Sequence, residues 1–361
     1  MAFNYKRSPP DAQRAEGNTM SPSIQRGGRT FLALAALSLC AHAPAVGAAT
    51  DSGARLERFE YPYPVSFFAL KSQGTMLEMG YMDVQPAASN GRVVVLLHGK
   101  NFCSATWVDT IKPLVKDGYR VIAIDQVGFC KSSKPANYHY SFQQLAANTR
   151  DLLHSLGLSK VILVGHSTGG MLAIRYALGY PGDIDRLVLV SPIGLEDWKA
   201  AGVPWQSVDE WYARERATSV DTVRTYEQST YYGGTWQARY DRWVDMYAGM
   251  FEGTHRDSAA WTSAMLYDMI YTQPVVYELG ALKPKTLLIS GDKDTTAIGK
   301  EQAPPEIRAR LGHYPELAEQ AASRIPNAEL VRFSDLGHAS FIQDPDRFNS
   351  VLLNHLDAPK P

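Results

Sequence analysis

Ser167 stands at the centre of Gly165-His166-Ser167-Thr168-Gly169, a G-x-S-x-G pentapeptide between an aliphatic run at 161–164 (VILV) and a helical pattern opening at Met171 (MLAIRYAL). A strand that turns directly into a helix leaves no room for side chains at the flanking positions. The serine is left protruding, with its hydroxyl exposed in front of the helix N-terminus. A serine hydroxyl is a poor nucleophile at neutral pH, so chemistry here requires a base and a group that orients it. His338 fits the base: it follows Gly337 in a loop after the strand pattern at 330–333, where it can swing toward the strand tips. Of the other histidines, His98 and His166 occupy other motif positions, and the rest lie in polar or helical surroundings or near the N-terminus. For the orienting acid two carboxylates compete, Asp292 and Asp294, both in the turn after the strand pattern at 286–290.

These residues need a scaffold that brings three strand ends together. Alternating segments at 65–70 and 75–83 read as an antiparallel pair. Strand patterns near 93–98, 120–125, 161–165 and 186–191 follow, separated by helical ones. Alternation of that kind predicts a mostly parallel sheet with helices on both faces. Residues 195–280 differ: they hold six of the seven tryptophans, many tyrosines, and helical periodicity at 240–251 and 259–271. A second insert, 295–317, follows the carboxylate turn. There are no internal repeats.

Three further segments complete a recognisable set. They are 92–101 (RVVVLLHGKN), 119–132 (YRVIAIDQVGFCKS), and Pro345 with Phe348 after the histidine. With these the chain, from about Phe67 onward, resembles an α/β-hydrolase of the lipase/esterase type. The resemblance implies an α/β-hydrolase fold with a core of 49–194 plus 281–361 and an inserted helical cap over 195–280. The family order Ser, Asp, His is present, and its Gly-x-x-Asp pattern favours Asp294 as the acid. Asp292 would then satisfy local backbone N–H groups. The resemblance also implies an oxyanion hole from the main-chain amides of Lys100 and Thr168, with the Lys100 ammonium solvated at the rim. Cys130 departs from the pattern, standing where the family has a second glycine. A capped site presents part of an apolar face to its pocket, which points to a small-molecule ester with a hydrophobic acyl or aryl group.

Apolar residues make up 45% of the 361 and charged ones 20%, enough for a sizeable core. Net charge is −1 with no basic cluster, which argues against nucleic acid as a partner. No metal-ligand spacing and no phosphate loop occur, so no cofactor or metal is implied. Residues 1–48 read as a signal peptide: Arg26 and Arg29, an apolar run at 31–39, then small residues before Ala49, with Met20 an alternative start. The apolar run is too short for a stable membrane span. Removing 1–48 leaves 31 basic against 35 acidic residues, a charge of −4.

These readings converge on an exported serine hydrolase, periplasmic or secreted, that cleaves carboxylic esters through an acyl-enzyme. A C–C bond hydrolase of aromatic breakdown is the nearest alternative, and a triad-containing small-molecule receptor is the alternative outside catalysis. Turnover separates a receptor from an enzyme. Serine as nucleophile argues against the branches of the family that use aspartate there. Without the leader only Cys103 and Cys130 remain. An even count in an oxidising compartment suggests a bridge, since in this fold their strands are neighbours. Two buried free thiols are the competing expectation.

Overall fold

The computed structural model describes residues 49–357; the leader read at 1–48 lies outside them. An eight-stranded sheet forms from β1 (Val65–Ser72), β2 (Thr75–Val84), β3 (Val93–Leu97), β4 (Arg120–Ile124), β5 (Val161–His166), β6 (Ile184–Val190), β7 (Thr286–Gly291) and β8 (Ala328–Phe333). Their order across the sheet is β1-β2-β4-β3-β5-β6-β7-β8. The pairs β1–β2 and β2–β4 are antiparallel and all the others are parallel. This is the α/β-hydrolase fold. The central strands are predominantly aliphatic, as strands covered on both faces are, and β5 and β7 are buried at every residue.

Between the strands run α1 (Val108–Lys116), α2 (Phe142–Ser155) and α3 (Thr168–Gly179). The stretch between β6 and β7 contains no strand. It carries α4 (Val208–Glu215), α5 (Val220–Thr230), α6 (Asp241–Gly249) and α7 (Arg256–Thr272). The start of α4 is set by a capping box, in which Ser207 Oγ accepts from the Glu210 amide and the Glu210 carboxylate accepts from the Ser207 amide. α4 lies against α7 through Trp211 and Tyr267, whose rings stack 4.6 Å apart at 8°. The tryptophans and tyrosines of this stretch therefore serve in part as its own core. Beyond β7 come α8 (Pro305–Arg308), α9 (Tyr314–Arg324), and, after β8, α10 (Ser340–Gln343) and α11 (Pro345–Asp357).

The segment at 49–64, which carries no periodic pattern, also packs into the molecule. Leu56 is fully buried, and the Tyr61 hydroxyl donates to Asp125 Oδ2 at 2.8 Å. Asp125 also accepts from the Ser104 and Lys131 amides, so its buried carboxylate is held by three donors. No helix among the described residues is long and apolar enough to cross a membrane.

Candidate active site

Parallel strands end at one edge of the sheet, and the segment 98–101, Ser167, Asp292, Asp294 and His338 all follow strand ends there. β3 and β5 are adjacent, so the loop of His98, Gly99 and Lys100 lies beside the turn at Ser167. A Cβ on Gly99 would come within 2.8 Å of the His166 ring and 3.0 Å of Ser167 Cβ. The turn is tighter still. A Cβ on Gly165 would meet Gly169 O at 2.2 Å, and one on Gly169 would meet Leu97 O at 2.4 Å. These close approaches are the physical content of the G-x-S-x-G spacing. Ser167 itself has φ 55 and ψ −119, a conformation that L-residues adopt only at a cost of about 1–3 kcal/mol. It caps the N-terminus of α3.

His338 and Asp294 meet deep in the protein, both essentially inaccessible to solvent. His338 Nδ1 donates to Asp294 Oδ2 at 2.6 Å, and Asp294 Oδ1 accepts from the Thr296 amide at 2.9 Å. With its proton on Nδ1, His338 keeps a lone pair on Nε2, which has no hydrogen-bond partner among the described residues. The imidazole is clamped between neighbours. Tyr231 stacks on it at 4.6 Å, the His166 ring lies 4.7 Å away, and the His338 amide donates to Tyr231 O at 2.8 Å. His166 Nε2 donates to His338 O at 3.0 Å, so the residue before Ser167 holds the loop that carries His338. Burial, followed by the nearby His338, keeps the His166 pKa well below that of a free imidazole, so His166 is neutral.

Asp292 takes a different part from Asp294. Both its oxygens accept from Arg332, at 2.8 Å each, so it forms a surface ion pair with β8 rather than satisfying the turn's backbone. The Thr168 amide follows Ser167 directly, the Lys100 loop leaves the neighbouring strand β3, and among the described residues neither amide donates to a protein acceptor. For Thr168 this follows from its place in the first turn of α3. The Lys100 side chain does not sit at a solvated rim. Its ammonium is buried under the inserted helices, donating to Ser263 Oγ at 2.8 Å and Tyr247 OH at 3.0 Å, with Glu215 Oε2 at 3.4 Å. Spacing along the chain could not place it, because all three partners lie more than a hundred residues away.

Cys103 and Cys130 are joined by a disulfide, with Cα atoms 5.8 Å apart. Cys130 has φ 45, in the left-handed region, which explains why the family has glycine there. The bridge ties the segment after the Lys100 loop to the segment after β4. His98, Asp125 and Cys130 approach one another within 4.8 Å, but they do not make an open metal site. The sulfur is consumed by the bridge, and both His98 nitrogens are engaged, Nδ1 by Gly99 O and Nε2 by the Gln126 amide.

A chamber of about 730 Å³ opens next to these loops, lined by Asn101 and Thr295 beside them and by residues of α4, α5 and α7. Its walls mix Trp211, Tyr226, Tyr247, Tyr267 and Ile298 with three basic side chains (Arg214, Lys300, Arg308) and three acidic ones (Glu215, Asp221, Glu301). Sequence reasoning named neither Tyr231 nor Glu227 of this helical stretch. Glu227 is fully buried, and among the described residues neither carboxyl oxygen has a partner; burial raises its pKa well above the usual range. It therefore keeps its proton to higher pH in the folded state than in the unfolded chain, where it ionises near 4.5. The folded state holds the extra proton, so stability is full below that pH and falls as pH rises toward the raised folded value. The slope is about 1.4 kcal/mol per pH unit. Glu227→Gln cannot ionise and should remove this slope. Urea unfolding at pH 5 and pH 8 should show an advantage over the parent that grows with pH, whereas an equal difference at both would mean the carboxyl is not neutral in the fold.

Comparison with known proteins agrees with this fold. A probable hydrolytic enzyme from Pseudomonas aeruginosa PAO1 superposes with a TM-score of 0.85 at 59% identity, covering 86% of this chain and 99% of that one. A carboxylesterase from Bacillus subtilis shares the fold at 21% identity, with a TM-score of 0.62 over 83% of this chain and 94% of its own. The 2-hydroxy-6-oxononadienedioate/2-hydroxy-6-oxononatrienedioate hydrolase of Comamonas testosteroni is 27% identical over 74% of this chain and 89% of its own length. The family model described as the alpha/beta hydrolase fold matches residues 92–345, the greater part of the chain, and the protein belongs to that family.

Proposed function

We propose that this protein is an exported serine hydrolase that cleaves carboxylic esters by way of an acyl-enzyme. The observation that carries the reading is the 2.6 Å bond from His338 Nδ1 to Asp294, which leaves a buried Nε2, without a partner among the described residues, in the neighbourhood of a strained Ser167. In this reading Nε2 takes the Ser167 proton as Oγ attacks the ester carbonyl. Asp294 holds the tautomer and stabilises the imidazolium, and the Lys100 and Thr168 amides receive the oxyanion. Protonated His338 then delivers its proton to the leaving alkoxide. Water, deprotonated by the same histidine, releases the acid and restores Ser167.

Aromatic and aliphatic chamber walls favour an apolar acyl or aryl group. The Comamonas relative, by its name, acts on a dienedioate, which makes C–C bond hydrolysis the second reading. Equal numbers of acidic and basic side chains around the chamber give a dianion no net attraction and favour the neutral ester. Export is supported by the basic, apolar, small-residue order of the leader and by the bridged cysteines, which suit an oxidising compartment. The test is labelling by an alkyl fluorophosphonate together with a panel of p-nitrophenyl esters and a dienedioate substrate. Labelling confined to Ser167 and multiple turnovers on the esters are expected. Turnover of the dienedioate alone would reassign the reaction, and stoichiometric binding without turnover would make the protein a receptor.

A further inference from the structure

We infer that Lys100 is a positioning residue, whose buried ammonium latches three inserted helices onto the loop that supplies an oxyanion donor. The inference rests on the acyl-transfer reading above. Lys100 and Glu215 keep only 6% and 12% of their side-chain surface exposed. The ammonium has three protons and three acceptors, each from a different helix: Glu215 on α4, Tyr247 on α6 and Ser263 on α7. Ser263 in turn hydrogen-bonds Glu215, and the Tyr267 ring lies under the charge, its centroid 3.7 Å from Nζ.

A buried ion pair of this kind is not needed for stability, because apolar residues of similar volume commonly do as well or better. What it supplies is direction. Apolar contacts tolerate sliding, whereas three hydrogen bonds to one nitrogen fix the rotation of α4, α6 and α7 relative to the Lys100 main chain. On the other side the loop is already held, by the close approach of Gly99 to the Ser167 turn and by the Cys103 bridge. The latch therefore closes the remaining freedom of the Lys100 amide and makes its aim depend on where the inserted helices sit. A displacement of about 1 Å in a catalytic donor costs on the order of a hundredfold in rate.

The deciding experiment uses the double variant Lys100→Met/Glu215→Leu. Either single change strands a buried charge and should lower the melting temperature; the double removes both charges and should keep it. With the melting temperature retained, kcat on p-nitrophenyl acetate should fall about ten- to a hundredfold while KM stays within about threefold. Main-chain amides at 99–102 should exchange hydrogen faster. A double variant with parental kcat overturns the latch, as does one whose kcat and melting temperature fall together, the mark of a merely structural pair. If the parent neither hydrolyses esters nor labels at Ser167, the acyl-transfer reading fails by itself. Exchange at 99–102 then still decides, and rates unchanged in the double variant would overturn the proposal.

Discussion

Ser167→Ala and His338→Ala should each reduce ester turnover by about a million-fold, to the level left by binding and the oxyanion donors alone. The losses should not add, because serine, histidine and aspartate act as one unit and the first removal already disables it. Asp294→Asn should cost roughly 10⁴-fold, since an amide on Nδ1 favours the tautomer that puts the proton on the nitrogen meant to accept one. Asp292→Asn is the control. Its carboxylate pairs with Arg332 at the surface, a contact worth about 0–1 kcal/mol, and its turnover should stay near that of the parent. Steady-state kinetics on a p-nitrophenyl ester, with each variant's fold verified by circular dichroism, checks all four. A dead Asp292→Asn beside an active Asp294→Asn would reverse the assignment of the acid.

Removing the bridge should have the largest effect on stability. Cys103→Ala/Cys130→Ala frees two loops of the site and should lose about 3–4 kcal/mol, the chain-entropy value for a loop of this length. Cys130 lies at φ 45, so alanine there keeps the backbone strain without the bond that holds it. Cys103→Ala/Cys130→Gly should therefore recover about 1 kcal/mol, because glycine adopts that conformation without steric cost. Urea denaturation of the protein beginning at Ala49 measures both. Titration of the unreduced, denatured parent should find no free thiol; two per chain would contradict the bridge, and equal stability of the two variants would contradict the strain argument.

Much of this was legible along the chain because it is local. Gly165 and Gly169 mark places where a side chain would run into backbone, and Gly99 one where it would run into the His166 ring and Ser167 Cβ. Aliphatic runs announced the central strands, and Ser167, the 292–294 turn and His338 each follow a strand closely enough that a parallel sheet must bring them to one edge. The choice between Asp292 and Asp294 needed family resemblance before the structure, since both sit in one turn and only the direction of each side chain separates them. Tertiary structure alone decided the rest. Tyr231 under His338, Tyr61 on Asp125 and the ammonium of Lys100 among three helices all join segments far apart in sequence. Which face of an inserted helix turns inward depends on how the helices dock. An aromatic-rich stretch such as 195–280 offers apolar residues on several faces, so its periodicity could announce helices at 240–251 and 259–271 but could not orient them. The residues proposed to do chemistry were written in the sequence by the backbone turns they require, and those that hold them in place were selected only when the chain closed on itself.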